Sequence, residues 1–438
     1  MLAIILFAIV FVGAIVLHNK TQVNMGILCM LGAFILGGWY AGTSASQIIS
    51  YFPVSVLATL LFTTFMFGYI NQTKAFNGLV DRILWATRGK TWFYPFAIYI
   101  CVVVICAVGG NDSAPVIMSP IAFSIAAATG MHPLLAVCSS YMGSAAMGMA
   151  PWTPGGAVFS GLMYTGCGDE NMKALNLSVI IMLIGSVVFL CIYYFALGGN
   201  KLKDNGSFEV KKPEPFNRDQ KIALGILVAV LVVTLVPGIL KNFIKGDAQA
   251  PLNWISNNLG LKQMCLIAVL AFGLLKVGDG RKVVKDMMPW GVMIDIGGAV
   301  MLINCASDMG IIDTISKAAS EALPGWLMPA VCVLIAGLLS FVSNAMGILP
   351  LFCPVVANMA VASGQSPTIL CACLLCGCIA TGLSPVSMGG SLHSMGANKE
   401  QREAIFGKQF VASFVHLGIY VVFALIGVFQ LVGKAFGI

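Results

Sequence analysis

Two glycine- and proline-rich stretches, residues 109–156 and 342–391, interrupt long apolar runs and repeat one another at a fixed spacing. The first opens with Gly109-Gly110-Asn111-Asp112-Ser113-Ala114-Pro115 and closes with Pro151-Trp152-Thr153-Pro154-Gly155-Gly156. An offset of 234 residues superposes Pro120 on Pro354, Gly130 on Gly364, Pro133 on Pro367 and Gly143 on Gly377. The same offset places Gly148 on Gly382, Pro151 on Pro385 and Gly155-Gly156 on Gly389-Gly390, and Asn111 meets Asn344 with one residue less. Chance supplies one or two such matches, whereas a run of Gly and Pro at constant offset marks an internal duplication. A fold for this chain must therefore be built from two copies of one unit.

The surroundings of the breaks give them their meaning. The chain is 59% hydrophobic and 9% charged, with a mean hydropathy of +0.93, whereas soluble domains carry roughly 25% charged residues. Apolar runs of about 20 residues, the length that spans a bilayer, recur from end to end, as expected of a polytopic helical membrane protein. A β-barrel would show alternating segments of about 10 residues instead. Leu2–Leu17 has no basic residue before it and no small-residue cleavage site, so it reads as a span rather than a signal peptide. The net charge of +7 lies in short inter-helix loops, which argues for membrane topology and against nucleic-acid binding. Among fourteen cysteines, Cys371, Cys373, Cys376 and Cys378 are spaced like a metal cluster. A helix spreads them over more than one face, with no His or acid beside them, so close helix packing is the expectation.

Leu2–Leu17, Val23–Trp39 and Ile48–Ile70 read as three spans. Lys74 to Lys90 is amphipathic, with Phe76, Leu79, Val80, Ile83 and Leu84 opposite Lys74, Asp81, Arg82 and Arg88, and is expected along an interface. Residues 92–129 form two apolar arms around a polar tip, a re-entrant helical hairpin. Leu134–Met163 is a span interrupted at Pro151–Gly156, and Leu175–Leu197 follows. Residues 1–198 thus make a first repeat and 199–221 a cytoplasmic linker. The second repeat, 222–438, begins with spans at Ile222–Ile239, Gln263–Leu275 and Met288–Ile303 and an amphipathic helix at Ile311–Leu323. It continues with a hairpin over 326–363 broken at Ser343-Asn344, the interrupted span Thr368–Ser394 and a last span, Phe406–Gly433.

Five crossings and one hairpin per half place the second half in the membrane upside down. With the amino terminus outside, 18 of the 24 Lys and Arg fall in the cytoplasm, as the positive-inside rule asks. Both termini then lie outside a bacterial inner (plasma) membrane. The expected fold class is an all-α polytopic membrane protein with an inverted-topology repeat. Each half has about five transmembrane helices plus one re-entrant helical hairpin and an interfacial amphipathic helix. Inverted repeats with broken helices meeting at the midplane are the architecture of secondary transporters. Irregular backbone at membrane depth survives only where protein or a water-filled cavity covers it, which makes the breaks candidate binding sites.

At each hairpin tip, freed amides and a helix amino terminus can face an anion, and exposed carbonyls can hold a small cation. Asn111, Ser113, Ser343 and Asn344 add neutral hydrogen-bonding side chains, and Thr153 and Ser387 hold matching positions in the two helix breaks. A site of amides, hydroxyls and carbonyls without Lys or Arg suits an anion that arrives with its own cations. The alternative is breaks that only kink helices for packing. Asp112 is the sharpest residue, because an intramembrane acid is functional by default. It is the candidate for cation coupling, or else it caps the following helix, for which Asp ahead of Ser-Ala-Pro is suited. Asp295 is expected to hold its helix against a neighbour or to line the cavity. His393 and His416 are expected as packing or capping residues, and Trp152 as a wall of the site or a packing residue.

These motifs resemble the divalent anion–sodium symporter family of the ion transporter superfamily, in which each half carries a Ser-Asn-Thr hairpin tip and a broken helix with a Thr-Pro element. The counterparts here are Gly110-Asn111-Asp112, Ser343-Asn344-Ala345 and Gly148-Met149-Ala150-Pro151-Trp152-Thr153-Pro154. From Asn24 to about Met163 the chain is similar to dicarboxylate transporters of the malonate-carrier type. The resemblance implies sodium sites at Gly110 and Asn111 with the Gly148, Met149 and Ala150 backbone, and at Ser343 and Asn344 with the Gly382, Leu383 and Ser384 backbone. It implies substrate contacts from Asn111, Asp112, Thr153, Asn344, Ala345 and Ser387. Both threonines of the paired motif are replaced, by Asp112 and Ala345. The Asn-Asp tip running on to Met118-Ser119-Pro120 also resembles arsenite permeases and sodium/proton antiporters of the same superfamily.

The function expected is secondary active transport, a Na+- or H+-coupled uptake of small organic anions such as C3–C4 dicarboxylates. The alternative is a Na+/H+ antiporter or an oxyanion permease. An elevator-type motion and a homodimer are implied by the same resemblance, with sodium ions for coupling and no other cofactor. An enzyme is not expected, since His-x-x-x-His and Gly-x-Ser-x-Gly patterns are absent and Ser113 has no base nearby in sequence.

Overall fold

In the computed structural model, which describes residues 2–111, 113–168, 172–203, 210–240, 249–342 and 345–437, every described regular element is helical. The first half contains α1 (Leu2–Thr21), α2 (Met25–Ala33), α3 (Ala45–Ser50), α4 (Val54–Gln72), α5 (Ala75–Thr87), α6 (Tyr94–Ala107), α7 (Ser113–Thr129), α8 (Pro133–Met147), α9 (Pro154–Cys167) and α10 (Lys173–Ala196). The second contains α11 (Arg218–Leu240), α12 (Ala250–Asn258), α13 (Leu261–Leu274), α14 (Gly280–Asp286), α15 (Trp290–Asp308), α16 (Ile311–Ala322), α17 (Met328–Val342), α18 (Ala345–Ala362), α19 (Pro367–Ala380), α20 (Met388–His393), α21 (Lys399–Leu425) and α22 (Val428–Ala435).

Local chemistry sets the same boundaries in both halves. Gly130 and Gly364, at φ +68° and +69°, end α7 and α18 in the left-handed conformation that glycine adopts without a Cβ penalty. Pro133 and Pro367 then open α8 and α19 at the first helical position, where a missing N–H costs nothing. The amphipathic helices form where expected. α5 buries Phe76, Val80 and Leu84 and exposes Asp81, and α16 buries Ile311 and Ile312 and exposes Asp313, Lys317 and Glu321.

Among the described residues, five helical stretches are long and apolar enough to cross a membrane: Ala45–Gln72 (α3 with α4), Lys173–Ala196, Arg218–Pro237, Trp290–Asp308 and Lys399–Leu425. A sixth is counted if α12 and α13, bent by 67°, are one span. The expected spans at 2–17 and 23–39 fall among the shorter apolar helices, the second prolonged by π-helical turns over Phe34–Tyr40. Three other expectations shift. α11 starts at Arg218, inside the stretch read as linker. The second interrupted span has only six residues beyond its break. The last span stops at Leu425, where Gly427 at φ +77° turns the chain into α22.

The halves pack crosswise. α2 lies on α15 and α4 on α13; α7 lies on α20 and α18 on α9. Glycines allow the closest approaches. A Cβ on Gly143 would come 2.8 Å from the Tyr99 carbonyl oxygen, and one on the equivalent Gly377 would come 2.2 Å from that of Val333, so α8 meets α6 as α19 meets α17. Between α2 and α15, a Cβ on Gly26 would stand 2.0 Å from the Ile294 oxygen, and one on Gly298 would stand 1.9 Å from the Gly26 oxygen. The Gly26 amide donates to Asp295 Oδ1 (3.0 Å) and to Asn24 Oδ1 (2.9 Å), so Asp295 holds the amino terminus of α2. We predict that Gly26→Ala and Gly298→Ala each destabilise the protein by about 1–3 kcal/mol, the usual penalty of overpacking. Unchanged detergent-solubilised melting temperatures would contradict this.

Candidate substrate and cation site

The first hairpin tip is shaped by the residues around it. Gly109 has φ +85°, and a Cβ there would fall 2.0 Å from the Phe67 ring. Gly110 is packed against Ile105 and Phe76, and its carbonyl caps α7 by accepting from the amides of Ser113 (3.1 Å) and Ala114 (2.9 Å). Trp152 fixes the tip to the break in the next span, its indole N–H donating to the Ala107 carbonyl at 2.7 Å. The tryptophan is therefore an anchor. Between these points lies the half-buried Asn111 side chain. Its Oδ1 is 2.6 Å from where a Gly148 Cβ would be, and its Nδ2 is 3.9 Å from the corresponding point on Gly155. The amide thus occupies a notch that only glycines leave open, beside the Gly148–Ala150 backbone.

The two helix breaks have one internal geometry. Thr153 Oγ1 shares its proton between the carbonyls of Gly148 (3.1 Å) and Ala150 (2.8 Å) and accepts from the Gly156 amide (3.0 Å). Ser387 Oγ does the same with Gly382 (2.6 Å), Ser384 (2.7 Å) and the Gly390 amide (3.1 Å). Each partner lies 234 residues from its counterpart. These hydroxyls therefore clamp the breaks shut and cap the helices beyond, α9 and α20. Leu383, grouped with the second cation site by resemblance, gives its carbonyl to Gln409 Nε2 at 2.8 Å.

His393, from the second half, ties the first tip to the second break. Its Nδ1 is 2.7 Å from Ser140 Oγ and its Nε2 is 3.1 Å from Ser144 Oγ, both on α8. Ser144 Oγ is 3.6 Å from Cys106 Sγ, which donates to Asn111 Oδ1 at 3.4 Å. None of these contacts involves a charged side chain. Tyr141, also on α8, donates to the Ile379 carbonyl at 2.6 Å and lies over Gly382 and Gly389, the notch equivalent to the one that Asn111 fills. Ala345, at the second tip, is buried in the same apolar cluster as Met149 of the first break.

Asp112, Ser343 and Asn344 lie outside the described residues. Asn111, Ser113, Gly110, Gly148, Met149, Ala150 and Thr153 form one neighbourhood, and Gly382, Leu383, Ser384 and Ser387 form the other. His416 is a packing residue, spanning the Ala380 carbonyl (2.8 Å) and the Tyr420 hydroxyl (3.2 Å). Sequence reasoning missed Ser140, Tyr141, Ser144 and Gln409. The polar run Ser139-Ser140-Tyr141 inside an apolar helix, and a glutamine within the last span, were the available signals.

Residues 3–377 match the protein family described as Citrate transporter (CitMHS). No curated protein matches the chain. The fold is similar to that of the Alcanivorax borkumensis YdaH transporter, with a TM-score of 0.65 and 14% identity over 89% of this chain and 88% of that one. It is also similar to Neisseria gonorrhoeae MtrF, described as illuminating a class of antimetabolite efflux pumps, with a TM-score of 0.59 and 14% identity over 88% and 82% of the two chains. At that identity the likeness shows the fold alone.

Proposed function

The chain belongs to the citrate transporter family, and from that premise we propose that it is a secondary active transporter for small di- and tricarboxylate anions, driven by a Na+ or H+ gradient. The observation that carries this reading is the neutral notch at Asn111, where a side-chain amide lies against the backbone of a broken, glycine-lined helix. Backbone carbonyls there suit a small cation, and the positive end of the α9 dipole, which opens at the break, suits a carboxylate. A site built without fixed positive charge takes its anion together with the cation that neutralises it. The crosswise packing of hairpin arms on post-break helices supports two oppositely inserted repeats, with hairpin 92–129 entering from the cytoplasm and hairpin 326–363 from outside. Asp112 in the coupling role, an elevator-type motion and a homodimer belong to the same reading.

The test is uptake of labelled citrate, succinate, malate and malonate into proteoliposomes under a sodium gradient, a proton gradient or neither. Accumulation above equilibrium under one gradient is expected. Equal filling with and without gradients would indicate a channel, and sodium/proton exchange without carboxylate movement would indicate an antiporter.

A further inference from the structure

We propose that Cys167, Cys353 and Cys371, with Met163, form an all-sulfur site for one soft monovalent metal ion, Cu(I). It stands apart from the transport site and does not depend on the carboxylate reading. The four residues come from α9 of the first half and from α18 and α19 of the second. The three Sγ atoms all lie within 4.8 Å of one another. Cys353 Sγ is 3.6 Å from Cys371 Sγ and 3.6 Å from Met163 Sδ. A metal about 2.3 Å from each sulfur spaces three sulfurs about 4.0 Å apart in a plane, or two about 4.6 Å apart in a line. Cys353 and Cys371, at 3.6 Å, need part by only about 0.4 Å to reach the planar spacing, and the other thiol pairs lie within 4.8 Å.

The donor set chooses the metal. Thiolates with a thioether suit Cu(I), which takes two or three such ligands; Ca(II) and Mg(II) demand oxygens, and Zn(II), though it takes thiolates, completes a tetrahedron with Cys, His or carboxylate rather than a thioether. Burial limits the charge. Met163, Cys353 and Cys371 are no more than 1% exposed, and a charge left uncompensated there is costly. Cu(I) held by two thiolates, with the third thiol still protonated and the thioether neutral, carries a single negative charge, whereas three thiolates would leave two. Each thiol that becomes a ligand gives its proton to solvent, so loading releases two protons. The ion enters already reduced, so no electron moves. Cys167, the last residue of α9, is half-buried, and Cys371 lies about 6 Å along α19 from its start at Pro367, so the site is near one end of α9 and of α19 and faces the middle of α18. Cys373, Cys376 and Cys378 take no part, because the α19 helix turns them toward other neighbours.

The experiment uses the full-length protein, reduced and anaerobic in detergent, in competition with the Cu(I) chelator bicinchoninate. One Cu(I) per chain is expected to stay with the wild type. Affinity is expected to fall at least tenfold in Cys353→Ala and Cys371→Ala, and several-fold in the volume-conserving Met163→Leu. Binding that persists at equal strength in the Cys353→Ala/Cys371→Ala chain would overturn the site, as would a wild type that surrenders all copper. X-ray absorption on the wild-type complex needs no variant: a sulfur-only shell is expected, and nitrogen or oxygen ligands would refute the assignment.

Discussion

Asn111→Ala is expected to lower carboxylate uptake about 100-fold while the protein remains inserted and monodisperse. The side chain fills the notch between Gly148 and Gly155 and accepts from Cys106 Sγ, so it presents its amide where the hairpin tip meets the first break. Hydrogen bonds to a charged ligand contribute about 1.5–3 kcal/mol each, and a hundredfold loss corresponds to about 2.7 kcal/mol. Losing one or two such bonds to a bound ion covers that figure. Truncation leaves a small void in a loop already held by Gly110, Trp152 and Phe67, so the fold should survive. Uptake within about twofold of wild type would remove Asn111 from the site and with it the main support for the first cation position.

The second large effect concerns folding. Gly156→Ala and Gly390→Ala should each prevent recovery of folded protein, lowering the monodisperse fraction more than about tenfold. A Cβ on Gly156 would lie 1.9 Å from the Ala150 carbonyl oxygen, and one on Gly390 would lie 2.1 Å from that of Ser384. Both obstacles are backbone, and the hydroxyl clamps of Thr153 and Ser387 hold them in place. Relief therefore means opening the break and breaking its three bonds, beyond the usual overpacking cost of about 1–3 kcal/mol. The controls are sharp. Gly225 in α11 and Gly418 in α21 have nothing within 4 Å of a would-be Cβ, so alanine there should be neutral or stabilise the helix by up to about 1 kcal/mol. Thr153→Ser and Ser387→Thr, which keep the hydroxyl, should also fold. If Gly156→Ala and Gly225→Ala yield equal amounts of folded protein, the close approach in the break is wrong.

The duplication was legible because backbone requirements are written in residue type. A position that must be glycine or proline keeps that need in both copies, and the offset from Gly148 to Gly382 led directly to two breaks with matching bonds. Apolar periodicity located α5 and α16 for a similar reason, since a helix at an interface must sort its side chains by face. Partners distant in sequence were not legible. From the sequence His393 is a packing or capping residue, because nothing near it in the chain shows that Ser140 and Ser144, on α8, face it. The four cysteines of α19 invited grouping by proximity, yet only Cys371 joins a thiol cluster, with Cys353 and Cys167 from other helices. Among the described residues, length and composition single out five long helices, or six, and leave shorter apolar ones whose depth depends on their neighbours.

By itself, then, the sequence determined the medium, the helical class, the twofold repetition and the places where the helices must break, because those follow from composition and from what glycine and proline permit. Tertiary structure decided which groups share the breaks: Asn111 in the Gly148–Gly155 notch, Tyr141 over its counterpart, and His393 linking the two. Such meetings are set by how helices from opposite halves cross, and a crossing is fixed by the fit of many small contacts that no local stretch of residues encodes.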